Sequence, residues 1–309
     1  MKKILFVLAA ACVTVAAQAK ILRVSNVAGS SAPYTNIADA AGAAEDGDTI
    51  MVDASSTPYE DTELLGKRIV LIGPGYFLTE NGITTSGASG ASIGTLKVSG
   101  QGSVIKGMTI TQVLVLLNSK IVVTRCRLAG PLQLGSNDST KPAEAENCII
   151  HQNFFNNGNI TTYNWYKTSF MQFTNNIFYT SVSFGNMTNA YIAYNTFAGG
   201  LACGVTNSTI EHNIASYLTL SIGATGSVET NNIKSDGYAK LDYAGQRLDA
   251  AYWELYQTTP EVDAGAFAGA DPYVLSGIPS GPVIQDLVVP ASVEKGSTMS
   301  VTVKVGVVK

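Results

Sequence analysis

Charge is scarce in this chain of 309 residues: Asp, Glu, Lys and Arg together make 14%, against about a quarter in ordinary globular domains. The balance is acidic, at −4, and the Lys and Arg residues form no cluster. That excludes nucleic acid and an anionic membrane surface as partners. Histidine occurs twice, as His151 and His212, and no C-x-x-C pair exists. Neither a zinc site nor any other metal or cofactor is expected from so few ligands. Outside the N-terminus there is no long apolar run, so no membrane span is expected. What fills the composition instead is Gly, Ser, Thr, Asn and Ala, the residues of short strands and tight turns.

The N-terminus reads as a targeting segment. Lys2 and Lys3 form a basic start, Ile4 to Val15 an apolar core, and Ala17-Gln18-Ala19 a small-residue cleavage site. Residues 1–19 are therefore read as a signal peptide, and the mature chain as exported to the periplasm, the outer cell surface or the medium. Loss of Lys2 and Lys3 takes the charge from −4 to −6. Cys12 follows three alanines, as in a lipidation signal, but Leu8 stands one place too far upstream for that pattern. Cys126, Cys148 and Cys203 remain, an odd number unsuited to a disulfide scaffold.

A short pattern recurs along the chain: strand-formers, then Asn or a small residue, then an apolar pair. It is seen in Val104–Ile110, Val122–Leu128, Glu146–Ile150, Phe173–Phe178, Ile192–Phe197, Ile210–Ile214 and Thr230–Ile233. Aligned on Met108, Cys126, Cys148, Asn176, Asn195, Asn213 and Asn232, the later repeats are 18 or 19 residues long. Such a period suits one turn of a parallel β-helix built from short strands. Asn suits its corners because it tolerates the left-handed backbone and can hydrogen-bond along a stack. On this alignment Cys126 and Cys148 stack on adjacent coils. Phe154, Phe155, Phe173, Phe178 and Phe197 are read as interior stacks. Only Tyr34–Glu45 and Leu248–Tyr256 look helical.

The opening run resembles the start of pectin-lyase-like right-handed parallel β-helices. The residues that carry the likeness are Tyr34-Thr35-Asn36-Ile37-Ala38-Asp39-Ala40-Ala41, Glu45-Asp46-Gly47-Asp48-Thr49-Ile50-Met51-Val52, Tyr59, and Ile69-Val70-Leu71-Ile72-Gly73. The resemblance implies an all-β solenoid whose open end is capped by an amphipathic helix, and it leaves activity open, since lyases, hydrolases, esterases, adhesins and tailspikes share the fold. The tail beyond the repeats resembles that of secreted Gram-negative β-helix proteins. We assign residues 20–275 to the β-helix domain and 276–309 to a linker and a two-strand tail. The tail strands, Val283–Pro290 and Met299–Val308, are expected to pack back on the solenoid or to pair with a protein partner, packing back being favoured, because two strands alone are marginal.

Lyases and hydrolases of such folds need carboxylates stacked on neighbouring coils. From Asn147 to Asn232 the charged residues are Lys167, Glu211 and Glu229. Glu211 aligns with Thr230 and Glu229 with Ile210, so the two glutamates share no ladder. The denser group Arg125, Arg127, Asp138, Glu144, Glu146 and His151 offers Arg125, Arg127, Glu146 and His151 as weak catalytic candidates, with solvated strand edges the simpler reading. Cys148 to Asn176 spans nine residues more than a plain coil, which predicts an extruded loop at 156–167. Tyr163, Trp165 and Tyr166 in that loop suit stacking on sugars. The function expected is therefore non-catalytic binding of a polysaccharide or surface glycan, or adhesion, with a lyase or hydrolase and an assembly subunit as alternatives.

Overall fold

The computed structural model describes residues 19–79, 90–136, 138, 143–157, 159–163, 168–215, 217–220, 225–234, 263–288, 292, 295–296 and 298–308. The chain is a right-handed parallel β-helix. A ten-stranded parallel sheet (sheet 1) runs in chain order from Ile21–Val24 to Val228–Thr230, one strand per coil. An eleven-stranded sheet (sheet 2) runs beside it, and a five-stranded sheet (sheet 3) closes the later coils from Ala145–Glu146 to Leu218–Leu220. Helix α1, Ile37–Ala43, starts where the Asn36 side chain accepts the Asp39 backbone N–H at 2.7 Å. It buries Ile37 and Ala40 against the first strands and closes that end of the solenoid. The second helix expected from sequence lies outside the described residues.

Period-two alternation decides what fills the coil. Phe155, Phe178 and Phe197 point inward on successive coils and stack at 4.4 and 4.8 Å between ring centroids. Phe184 meets the last two edge-on from the opposite wall. Each buried ring contributes about 1.5–3 kcal/mol of transfer free energy. Phe154, one residue before Phe155, points outward, so it is not the interior residue that sequence suggested.

The corner between sheets 1 and 2 carries an amide ladder. Asn153, Asn176, Asn195 and Asn213 are fully buried, and each Oδ1 accepts the backbone N–H of the preceding coil at 2.9 Å. Each Nδ2 donates back to a main-chain carbonyl, as Asn176 does to Ile150 O at 2.8 Å. Asn232 closes one end, accepting from Asn213 N, and the Cys126 thiol closes the other, donating to Thr124 and Ile105 carbonyls. The left-handed backbone belongs to the residue before each ladder position: Arg125, Gln152, Asn175, Tyr194, His212 and Asn231. Hydrogen bonding, and not tolerance of positive φ, selects Asn at the ladder itself.

The register corrects one alignment. Ile150 pairs with Val123 and His151 with Thr124, so Asn153 stacks on Cys126 and Cys148 stacks on Ile121. The long intervals are then Cys126 to Asn153 and Asn153 to Asn176, and the extra residues are divided between two coils. Glu211 pairs with Thr230 and Ile210 with Glu229, as aligned.

After the coils, residues 263–280 return along the outside of the ladder corner. Gly265 N donates to His212 O, Ala266 N to Thr196 Oγ1, Asn175 Nδ2 to the carbonyls of Ala266 and Ala268, and Tyr76 N to Ser276 O. This strap covers the outward Phe154 and Ile177 and, with Tyr76, Phe77, Ala266 and Tyr273, makes a second small core. The Tyr76 and Tyr273 hydroxyls are hydrogen-bonded to each other there. Beyond it Gly281–Val288 and Thr302–Val308 pair as an antiparallel ribbon. Met299, Val301, Val303 and Val305 are about half exposed.

Candidate functional site

Arg125 and His151 are brought together, and both face the strap. Arg125 sits at the left-handed corner position and is buried. Its Nε donates to Gln152 Oε1 at 2.7 Å and its Nη1 to Ile278 O at 2.9 Å. Burial lowers its pKa against the pull of Asp271. Gln152 Nε2 in turn donates to Asp271 Oδ1 and to Pro272 O. His151 is held at both nitrogens, by Thr174 Oγ1 at 2.8 Å and Asp271 Oδ2 at 3.0 Å. Asp271 is the member of this cluster that sequence reasoning missed, because it lies 120 residues away in a segment without periodicity.

The other two candidates stand apart from that cluster. Arg127 opens the next strand, donates to Asn156 Oδ1 at 2.8 Å, and lays its guanidinium 4.6 Å from the Phe77 ring centroid. Glu146 lies on sheet 3, where it accepts from Ser169 Oγ. The arrangement fastens a segment to the solenoid wall: donors meet backbone carbonyls, and the carboxylate meets an imidazole and an amide. Among the described residues no three His, Cys, Asp or Glu side chains converge on one point.

A different surface is open. Where the strand Ile160–Thr162 runs beside Val182–Thr188, a groove of about 540 Å³ is lined by Asn157, Asn159, Thr161, Ser181, Ser183 and Asn186, among others. Thr162 Oγ1 donates to Gly185 O at 3.0 Å and ties its two sides together. None of the lining residues carries a formal charge. Tyr163 follows directly, half-buried, its phenol pKa raised by burial. Trp165 and Tyr166 lie outside the described residues. Sequence reasoning placed Thr161 in an extruded loop at 156–167, but Ile160–Thr162 is a strand paired with Leu132–Leu134, and nothing in the sequence set it beside Val182–Thr188.

Among solved structures the chain is similar to a pectin methylesterase from Aspergillus niger in deglycosylated form, at 13% identity and a TM-score of 0.30, over 76% of this chain and 95% of that one. No family model matches the chain, and no curated protein does. Among the described residues no helix is long and apolar enough to cross a membrane.

Proposed function

We propose that this is an exported, non-catalytic β-helix module that binds a neutral polysaccharide or surface glycan in the groove beside Ile160–Thr162. The observation that carries the reading is an open groove lined by amides and hydroxyls without a formal charge. Such groups match the paired donors and acceptors of sugar hydroxyls, and none of them is a strong acid, base or nucleophile at neutral pH. Tyr163 follows the strand directly, and Trp165 and Tyr166 come two and three places later in the sequence, aromatic side chains of the kind that stack on sugars. The Arg125, His151 and Asp271 cluster serves in this reading as the fastener of the strap.

The test is binding by calorimetry to neutral and acidic glycans, with Trp165→Ala beside the wild type. Affinity for a neutral glycan should fall at least tenfold, about 1.4 kcal/mol, with the melting temperature nearly unchanged. A large melting loss with no binding in either protein makes Trp165 a structural cover instead.

A second reading, association with a protein partner, is favoured by the ribbon of Gly281–Val288 and Thr302–Val308. Its second strand, Thr302–Val308, exposes Val303 and Val305, and Met299 and Val301 just before it are exposed as well. Val303→Lys with Val305→Lys should abolish any concentration-dependent association seen by light scattering.

A further inference from the structure

The groove continues toward an exposed ring. Ser181, one of its lining residues, accepts the Gly200 N–H on Oγ at 3.0 Å, while Val182 N donates to Gly200 O. One coil further on, Leu201 N donates to Tyr217 O. Residues 181, 200 and 217 are thus neighbours on successive coils of sheet 3.

Tyr217 lies across Gly200. A Cβ at position 200 would stand 1.8 Å from the end of the ring, yet Tyr217 as a residue is 54% exposed. The backbone of Gly200 is not in the left-handed region, so conformational freedom does not explain the glycine. Close approach of the ring does. Gly199 keeps the adjacent step equally low, since a Cβ there would meet Ser181 Oγ at 2.4 Å. A large aromatic side chain is therefore held down on the backbone beside a polar groove, with much of its surface left to solvent.

We propose that Tyr217 is the stacking platform at the far end of the glycan site, and that a linear neutral glycan lies along the solenoid axis from Asn159 and Thr161 across Ser183 to this ring. The proposal rests on the reading of the groove as a glycan site. Neighbouring strands advance by about 4.8 Å, close to the advance of one pyranose unit in an extended chain. Three strand steps separate Ile160–Thr162 from Leu218–Leu220, about 14 Å. That length matches three or four sugar units. A Tyr ring presents an apolar face for the C–H side of a sugar and a hydroxyl at its edge.

The experiment is calorimetric titration with cello-, xylo-, manno- and laminari-oligosaccharides of two to six units, on wild type, Tyr217→Ala, Tyr217→Phe and Asn159→Ala. We expect affinity to rise steeply between two and four units. Tyr217→Ala should weaken tetramer and hexamer binding at least fivefold and leave the dimer unchanged. Tyr217→Phe should stay within twofold of wild type, and Asn159→Ala should weaken every length. Gly200→Ala should reproduce the Tyr217→Ala result if it folds, because it lifts the ring. If Asn159→Ala weakens binding but Tyr217→Ala does not, the platform is wrong and the groove stands. If no oligosaccharide binds the wild type, both readings fall.

Discussion

The Oδ1 of Asn195 accepts two hydrogen bonds from Asn176, from the backbone N–H at 2.9 Å and from Nδ2 at 3.0 Å. The same relation links Asn153 to Asn176 and Asn195 to Asn213. Removing one member strands donors on the coil before it and acceptors beneath it. Each unsatisfied buried group costs about 1–3 kcal/mol. Asn195→Leu should therefore destabilise the protein by on the order of 3 kcal/mol or more, and Asn232→Leu, at the exposed end of the ladder, by clearly less. Chemical denaturation of the two variants checks the order. Equal losses would show that the ladder is not a continuous buried stack.

The strap makes stability depend on pH through His151. Burial holds this imidazole below its ordinary value of 6.5, in spite of Asp271 and the Thr174 carbonyl, and Arg125 pushes the same way. A histidine whose pKa is lower folded than unfolded takes up more protons on unfolding. Its contribution is present above about 6.5 and is lost as pH falls through the folded value. Melting temperature should decline from pH 7.5 to 5, and His151→Gln should flatten that decline. A wild-type melting temperature that rises on acidification would contradict the assignment.

Arg125 is expected to matter for stability and not for binding. Arg125→Ala removes donors from Gln152 and the Ile278 carbonyl, a loss of about 2 kcal/mol or more for charged hydrogen bonds in a buried setting. Affinity for any glycan should stay within a few fold for Arg125→Ala, Arg127→Ala and Glu146→Ala. Release of unsaturated oligosaccharides from pectin, alginate or a glycosaminoglycan, abolished by one of these changes, would make the protein a lyase.

Cys126, Cys148 and Cys203 are buried thiols. Burial pushes their thiols up, Cys126 to about 12, Cys148 to about 11 and Cys203 to about 12. Thiol reagents should leave the native protein untouched and label all three on unfolding. Rapid labelling of the native protein would contradict their burial.

The solenoid was legible because period and alternation are local. Asn176, Asn195, Asn213 and Asn232 announce their corner by spacing alone, and the same spacing puts Glu211 and Glu229 on separate ladders. The error at Cys148 has the same origin. Two coils carry insertions, and with both intervals lengthened Cys148 stands nearer the expected spacing than Asn153 does. The strap was not legible. Asp271, Tyr273 and Ala266 answer to Gln152, Tyr76 and Asn175 across the fold, and no periodicity links them. Tyr217 was hidden for a related reason: its value as a surface depends on Gly200 in the previous coil.

The central claim, a neutral glycan held in the groove of Asn159, Thr161 and Ser183, is tested most directly by retention in native gels cast with neutral polysaccharide. Wild type is compared with Ser183→Arg, an outward surface substitution that fills the groove. The account predicts retardation of the wild type and free migration of Ser183→Arg at unchanged melting temperature. Equal retardation of both proteins would place the glycan elsewhere, and free migration of both in every neutral polysaccharide would contradict the claim.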